Sequence, residues 1–237
     1  MLKHYPQIDN ELVSIDYRYE LKFVLDDTGL STAFKWMHKD TSAQERYSKR
    51  KVNSLYFDDV DFTSVKDNLA GLSERKKMRL RWYGEKDHSC PFLETKIRNG
   101  RLGYKISHPV SSLENNLLGL DLKEIVSECE KEIKNRNAIS DEYFIPTLQT
   151  ICAKEYYEDL NGIRITIDQN IQFFESLPYR KLNETVPASY PYKVMELKFD
   201  PSMKTTVAEL IRPLHLIPKR HSKYLIGLAI LGYAVYI

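Results

Sequence analysis

The stretch Arg75-Lys76-Lys77-Met78-Arg79-Leu80-Arg81-Trp82-Tyr83-Gly84 alternates cationic and apolar residues. Successive side chains of a β-strand point to opposite faces, so Arg75, Lys77, Arg79 and Arg81 share one face and Met78, Leu80 and Trp82 the other. For one isolated strand, a solvated polar face with weak cross-strand ion pairs is the simpler reading. Repetition of the pattern argues for charged faces that point inward.

Glu20-Leu21-Lys22, Glu94-Thr95-Lys96 and Glu196-Leu197-Lys198 are three Glu-x-Lys strands in one chain. Arg18 joins the first set. Lys154 and Tyr156 share a face in Cys152-Ala153-Lys154-Glu155-Tyr156, and Arg164, Thr166 and Asp168 share one in Ile163–Asp168. These segments predict an α+β protein built on a closed antiparallel β-barrel of about eight strands. Its charged faces form a tunnel, and its helices pack outside.

Composition narrows the function. At 237 residues, with 42% hydrophobic and 29% charged content, the chain suits a single domain with a sizeable core. A net charge of +2 excludes a generally basic nucleic-acid binder, so cationic chemistry must come from local clustering. Cys90, Cys129 and Cys152 are widely spaced and form no C-x-x-C pair, which points to a reducing, cytoplasmic setting and away from zinc or a disulfide framework. The N-terminus lacks the apolar core of a signal peptide. The six histidines show no ligand spacing.

Residues 1–13 read as a lead-in, followed by a strand over about 15–24. Asp26-Asp27-Thr28 offers caps for a helix carrying Leu30, Ala33, Phe34 and Met37. Lys49-Arg50-Lys51 reads as a solvated run before a strand over 52–58. A short helix over 62–70 ends at Gly71, and Asn99-Gly100 is a strong hairpin signal that brings Lys105 back beside Lys96. Leu113, Leu117, Leu118, Leu122, Ile125, Val126 and Ile133 recur at helical spacing, so 111–140 is expected as a helical insertion over the barrel. Strands over 148–158 and 162–170 follow, then the last strand over 193–199 and a helix stopped at Pro213. A C-terminal helix is expected within 218–237. Its apolar run Leu225–Ile237 falls short of the roughly 20 residues that span a bilayer, so it is expected to pack on the barrel.

Several ordered stretches resemble the VTC domain, the polyphosphate polymerase branch of the triphosphate tunnel metalloenzymes. They are Arg18–Phe23, Val52–Asp58, Arg79-Leu80-Arg81-Trp82-Tyr83-Gly84, Phe92–Lys96, Ile163–Asp168, Val194–Phe199 and Ser222-Lys223-Tyr224. The resemblance implies that terminal phosphate is transferred from ATP to a growing inorganic polyphosphate held in the tunnel. Basic residues of many strands line that tunnel in the family. Carried over by position, the transfer residues are Arg79, Arg81, Lys96, Arg164, Lys198 and Lys223, with Lys22, Lys105, Lys154 and Ser222 binding phosphate. Glu196, then Glu94, then Glu20 are the implied ligands of a divalent metal, Mn²⁺ or Mg²⁺. Where many members carry Arg, this chain has Lys154, which keeps the charge and loses the bidentate fork.

These residue types suit the chemistry. Phosphoryl transfer asks the protein for positioning and charge neutralisation rather than a nucleophile. Divalent metals take oxygen ligands and bridge phosphates. Two further readings stay open: a triphosphatase of the same fold, with water as acceptor, and a polyphosphate-binding module without catalysis. The first strand reads Arg-Tyr-Glu-Leu-Lys rather than the Glu-x-Glu-x-Lys of the hydrolase branch, which favours the polymerase. The family also implies a membrane-protein partner that handles the product.

Overall fold

Residues 17–85, 89–100, 102–135 and 145–233 are described in a computed structural model. The expected lead-in over 1–13 lies outside them. The chain runs β1 (Tyr19–Leu25), α1 (Asp27–Asp40), β2 (Gln44–Asp58), α2 (Thr63–Leu69), β3 (Glu74–Tyr83), β4 (Phe92–Asn99) and β5 (Leu102–Pro109). Then come α3 (Leu122–Asn135), β6 (Ile145–Glu158), β7 (Arg164–Glu175), β8 (Ala188–Ser189), β9 (Lys193–Phe199), α4 (Lys204–Leu210) and α5 (Lys223–Ile230).

All these strands form one antiparallel sheet in the order β1-β9-β7-β6-β2-β3-β4-β5, with the short β8 paired to β7. The expected closed barrel is not what forms. Among the described residues the two edge strands, β1 and β5, share no ladder, and the sheet is open. Its edges approach each other through an isolated bridge, in which the Arg18 amide donates to the Gly103 carbonyl at 3.3 Å. Ladder pairing is what closes a barrel, and one bridge does not supply it. The sheet nevertheless curls, because Lys96 of β4 reaches Glu20 of β1 across this seam at 2.5 Å.

Alternation decides which face is which. Leu55 and Phe57 of β2, Met78, Leu80 and Trp82 of β3, and Leu93 of β4 point outward. There they meet Val110, Leu113, Leu117, Leu122, Ile125 and Cys129, so the 111–135 segment covers that half of the outer face. The other half buries Phe23, Leu25, Ile165, Ile167, Leu197 and Phe199 beneath Ala33, Trp36 and Met37 of α1 and Val207 of α4. Asp26 caps α1, its side chain accepting from the Gly29 amide at 2.7 Å. The Trp36 indole donates to the Leu210 carbonyl at 2.9 Å and ties α1 to the α4 end.

The last helix breaks the expected arrangement. It spans Lys223–Ile230 and packs on the inner face, not outside. Tyr224, Leu225 and Leu228 meet Val52, Tyr56, Leu148, Cys152 and Val194, which have the same strand parity as the charged residues. Gly227 permits this approach, since a Cβ there would lie 2.6 Å from Leu148 and Phe173 side-chain carbons. Tyr224 stacks on Tyr56 with ring centroids 5.1 Å apart and donates its hydroxyl to Asp58 at 2.7 Å. The helix therefore fills one end of the inner face and delivers Ser222 and Lys223 to its middle.

β2 is also longer than its sequence suggested. It starts at Gln44, so Lys49-Arg50-Lys51 belongs to the strand. Arg50 lies over the rings of Tyr47 and Tyr156, 4.7 and 5.2 Å from their centroids. Cation–π contacts hold it there.

Candidate functional site

The inner face carries three carboxylates, or carboxylate pairs, each surrounded by cations. In the first, Arg79 of β3 and Glu94 of β4 are cross-strand partners. Arg79 donates Nε and Nη2 to one Glu94 oxygen at 2.8 and 2.7 Å, and Lys105 of β5 donates to the other at 2.5 Å. Arg81 stands 3.8 Å away. Glu94 is buried, and burial alone would raise its pKa; the three cations outweigh that and hold it at about 2. Arg79 also donates to the Tyr56 hydroxyl at 3.3 Å.

The second group bridges β1, β9 and β4. Register pairs Glu20 with Lys198 and Lys22 with Glu196. Lys198 lies 3.1 Å from Glu196 and 4.0 Å from Glu20, and Lys22 lies 3.6 Å from Glu196. Lys96 grips both Glu20 oxygens, at 2.5 and 2.6 Å. Burial and the neighbouring Glu196 work to raise the Glu20 pKa, and Lys96, Lys22 and Lys198 bring it below the ordinary value. Two carboxylates thus converge on one ammonium, that of Lys198.

The third is centred on Asp168 of β7. Its two oxygens meet Lys154 of β6 at 2.6 Å and Lys223 of α5 at 2.5 Å. Asp168 is fully buried; burial opposes ionisation, but the flanking ammonium groups hold it well below the usual carboxylate range. Lys154 further donates to the Thr166 hydroxyl, and Lys223 contacts the Cys152 sulfur, both at 3.3 Å.

Lys22, Arg79, Arg81, Lys96, Lys105, Lys154, Lys198, Lys223, Glu20, Glu94 and Glu196 are therefore brought together on one face. Ser222 joins them; its hydroxyl accepts from Lys77 at 2.9 Å and caps α5 through the Leu225 amide. Arg164 lies at the exposed margin of the same face, opposite Lys198 in register and with Glu158 at 3.7 Å.

Two residues acquire a place that the sequence reading did not give them. Asp168 was grouped with Arg164 and Thr166 by parity but given no role. Only the packing of α5 shows that it pairs with Lys223. Lys77 shares its face with Arg79 and Arg81, and that parity was the available signal. Burial, with Lys22, Lys96, Arg75 and Arg98 around it, drives its pKa down to about 7. His221 also lies buried at this face, 5.6 Å from the Tyr190 ring, and its carbonyl accepts from Lys22 at 3.3 Å. Burial first, then Lys22 and Lys223, lower its pKa to about 3, so it is neutral at ordinary pH.

Among the described residues, no three His, Cys, Asp or Glu side chains group as a metal cage. None of the described helices is long and apolar enough to cross a membrane.

Comparison with known proteins agrees on the architecture. HpAC1 from Hippeastrum, a candidate adenylyl cyclase with a dominant triphosphatase activity, superposes with a TM-score of 0.52 at 10% identity, over 90% of this chain and 95% of its own. A candidate adenylate cyclase from Vibrio parahaemolyticus gives 0.51 at 12% identity, over 90% and 98%. At such identity the likeness is one of fold. No curated protein matches the chain. The VTC domain profile matches residues 17–232, nearly the whole length, and the chain belongs to the VTC domain family.

Proposed function

We propose that the protein is a metal-dependent polyphosphate polymerase that transfers the terminal phosphate of ATP to a polyphosphate chain. One observation carries the reading. Eight cations from seven elements (Lys22, Arg79, Arg81, Lys96, Lys105, Lys154, Lys198 and Lys223) share one face and, among the described residues, have four carboxylates as ion-pair partners. Holding so many like charges side by side on one partly buried face is costly unless an anion completes it, and a chain of phosphates is an anion that reaches many strands at once.

Arg79 and Arg81 present planar donors to phosphate oxygens, and the lysines act as point charges. Glu94 orients Arg79 and Lys105. Transfer needs an oxygen of the acceptor's terminal phosphate to attack the γ-phosphorus of ATP. The bond to the β,γ-bridging oxygen breaks, and ADP leaves with its electron pair. No protein nucleophile enters this scheme; the side chains align the two phosphates and spread the charge.

The carboxylates fit a divalent ion. Glu196 and Glu20 converge where a cation, the Lys198 ammonium, now balances them, and Mg²⁺ is commonly held by one or two carboxylates plus substrate phosphates. Mn²⁺ or Mg²⁺ held by these two would supply further neutralisation of the phosphate oxygens. Glu94 is committed to Arg79, Lys105 and Arg81 and suits this role less.

The test is purified protein with ATP, Mn²⁺ or Mg²⁺ and a short polyphosphate primer, with products sized on a gel. Elongation that is lost in Glu196→Gln and Arg79→Ala supports the polymerase. Phosphate release without elongation makes the protein a triphosphatase, and tight polyphosphate binding with neither product makes it a binding module.

A further inference from the structure

The two ends of the inner face differ in kind. Helix α5 packs against Tyr56 and Leu148 at one end. At the other, Tyr47 and Arg50 of β2, Tyr83 of β3 and Tyr156 of β6 gather beside Arg81, the last cation of β3. The Arg50 guanidinium lies 4.7, 5.6 and 5.2 Å from the ring centroids of Tyr47, Tyr83 and Tyr156, and Arg81 lies 5.3 Å from that of Tyr83. Tyr47 stands edge to face with Tyr156, centroids 5.9 Å apart, and Arg46 donates Nε to its hydroxyl at 3.2 Å. Its ring is thus held in place while the residue stays 47% exposed.

This end also carries unmet polar groups. Among the described residues, the buried Tyr156 hydroxyl and the buried Arg81 Nε have no hydrogen-bond partner, and the two side chains are electrostatic neighbours. A buried donor left unmet costs free energy that a bound group recovers. Burial pushes the Tyr156 pKa up to about 12, so its hydroxyl keeps its proton and can donate.

Strand spacing orders what can bind. Arg79, Arg81 and Tyr83 succeed one another on one face of β3 at about 7 Å per step. A triphosphate on Arg79 and Arg81 therefore ends beside Tyr156 and Tyr83, with the exposed Tyr47 ring beyond them. An inorganic phosphate chain gains little from such rings. The flat, uncharged base of a nucleotide stacks on them.

We propose that the Tyr47, Arg50, Tyr83 and Tyr156 cluster is a nucleoside subsite: the base stacks on Tyr47, the Tyr156 hydroxyl meets the ribose, and Arg81 Nε meets the α-phosphate. The proposal rests on the triphosphate lying on Arg79 and Arg81. Every base has a π-face, so stacking selects nucleoside triphosphates as a class over inorganic tripolyphosphate without fixing which base.

Titration calorimetry with ATP, GTP and tripolyphosphate tests it, on wild type, Tyr47→Ala, Tyr47→Phe and Tyr156→Phe. Tyr47→Ala should weaken ATP and GTP by about tenfold, the loss of one base–aromatic stack, with tripolyphosphate held within about twofold. Tyr47→Phe keeps the ring and should bind both nucleotides as wild type does. Tyr156→Phe should weaken ATP by about three- to tenfold, the loss of one hydrogen bond, and spare tripolyphosphate. Equal losses for nucleotide and tripolyphosphate, or no loss of nucleotide in Tyr47→Ala, would overturn the subsite. None of these measurements needs turnover. A protein that binds ATP through Tyr47 yet fails to elongate polyphosphate sinks the polymerase and keeps the subsite, and elongation with nucleotide binding untouched by Tyr47→Ala does the reverse.

Discussion

Lys223 Nζ lies 2.5 Å from the Asp168 carboxylate and joins the first turn of α5 to a strand 55 residues earlier. Lys154 holds the other oxygen, so one buried anion serves two buried ammonium groups. The α5 helix is thereby fastened both by apolar packing and by charge.

Asp168→Asn should therefore cost stability. Breaking a buried pair strands the remaining charges, at about 3–5 kcal/mol, and here two are stranded. Thermal melting should show a large drop. Added tripolyphosphate should raise the melting temperature of the variant more than that of wild type, since the ligand supplies the missing anion. An equal rise in both proteins would argue against that account.

Acid should loosen the same face. Glu94 has its folded pKa depressed to about 2 against an ordinary 4.5, so its stabilisation is complete above the unfolded value. It is lost as pH falls from about 4.5 towards 2. A shift of this size is on the order of 3 kcal/mol. Denaturant unfolding of wild type and Glu94→Gln across pH 3–7 measures it: the gap between them should narrow towards low pH.

Lys77 titrates in the opposite sense. Its folded pKa of about 7 lies below the ordinary 10.5, so the folded state holds it neutral where the unfolded chain still binds the proton. Stability without ligand should then rise with pH between about 7 and 10.5. A polyphosphate that contacts Lys77 favours its charged form, so binding at pH 8 should take up protons. Calorimetry in buffers of different ionisation enthalpy reads that uptake, which should fall in Lys77→Met.

Gly227→Ala tests the seat of α5. The added carbon would meet Leu148 and Phe173 at 2.6 Å, so the helix must shift. Overpacking of this kind costs about 1–3 kcal/mol. Because Ser222 and Lys223 start the helix, phosphate affinity should fall together with the melting temperature. Unchanged affinity would show that those two side chains do not depend on where the helix sits.

Much of the inner face was legible in the sequence because strand parity is a local property. Arg79 and Arg81, or Glu196 and Lys198, are placed on one side by their spacing alone. The family motifs then marked where the strands lie along the chain, while their order in the sheet came only with the structure. The expectation failed where long-range geometry decides. Closure depends on whether β1 and β5 lie close enough along their whole length to ladder, and neither strand's residues encode that distance. The C-terminal run was apolar enough to need burial, yet its side of the sheet followed from Gly227 and from Tyr224 reaching Asp58, a partner 166 residues away. Lys49-Arg50-Lys51 looked solvated, and the tyrosines that make Arg50 a strand residue come from positions on either side and from β6. Asp168 was visible by parity and had no assigned partner until α5 was placed.

The seam between β1 and β5 bears on how a polymer is loaded. A closed ring accepts a linear molecule only by its end, so each long strand must be threaded. Here the edges are spanned, among the described residues, by the Arg18–Gly103 backbone contact, the Tyr17–Tyr104 ring contact and the Lys96–Glu20 pair. Parting those contacts would let a strand be laid in sideways, with both of its ends remaining outside. A polyphosphate blocked at both ends by bulky groups should still bind this protein, and should cease to do so once a cross-link joins positions 18 and 103.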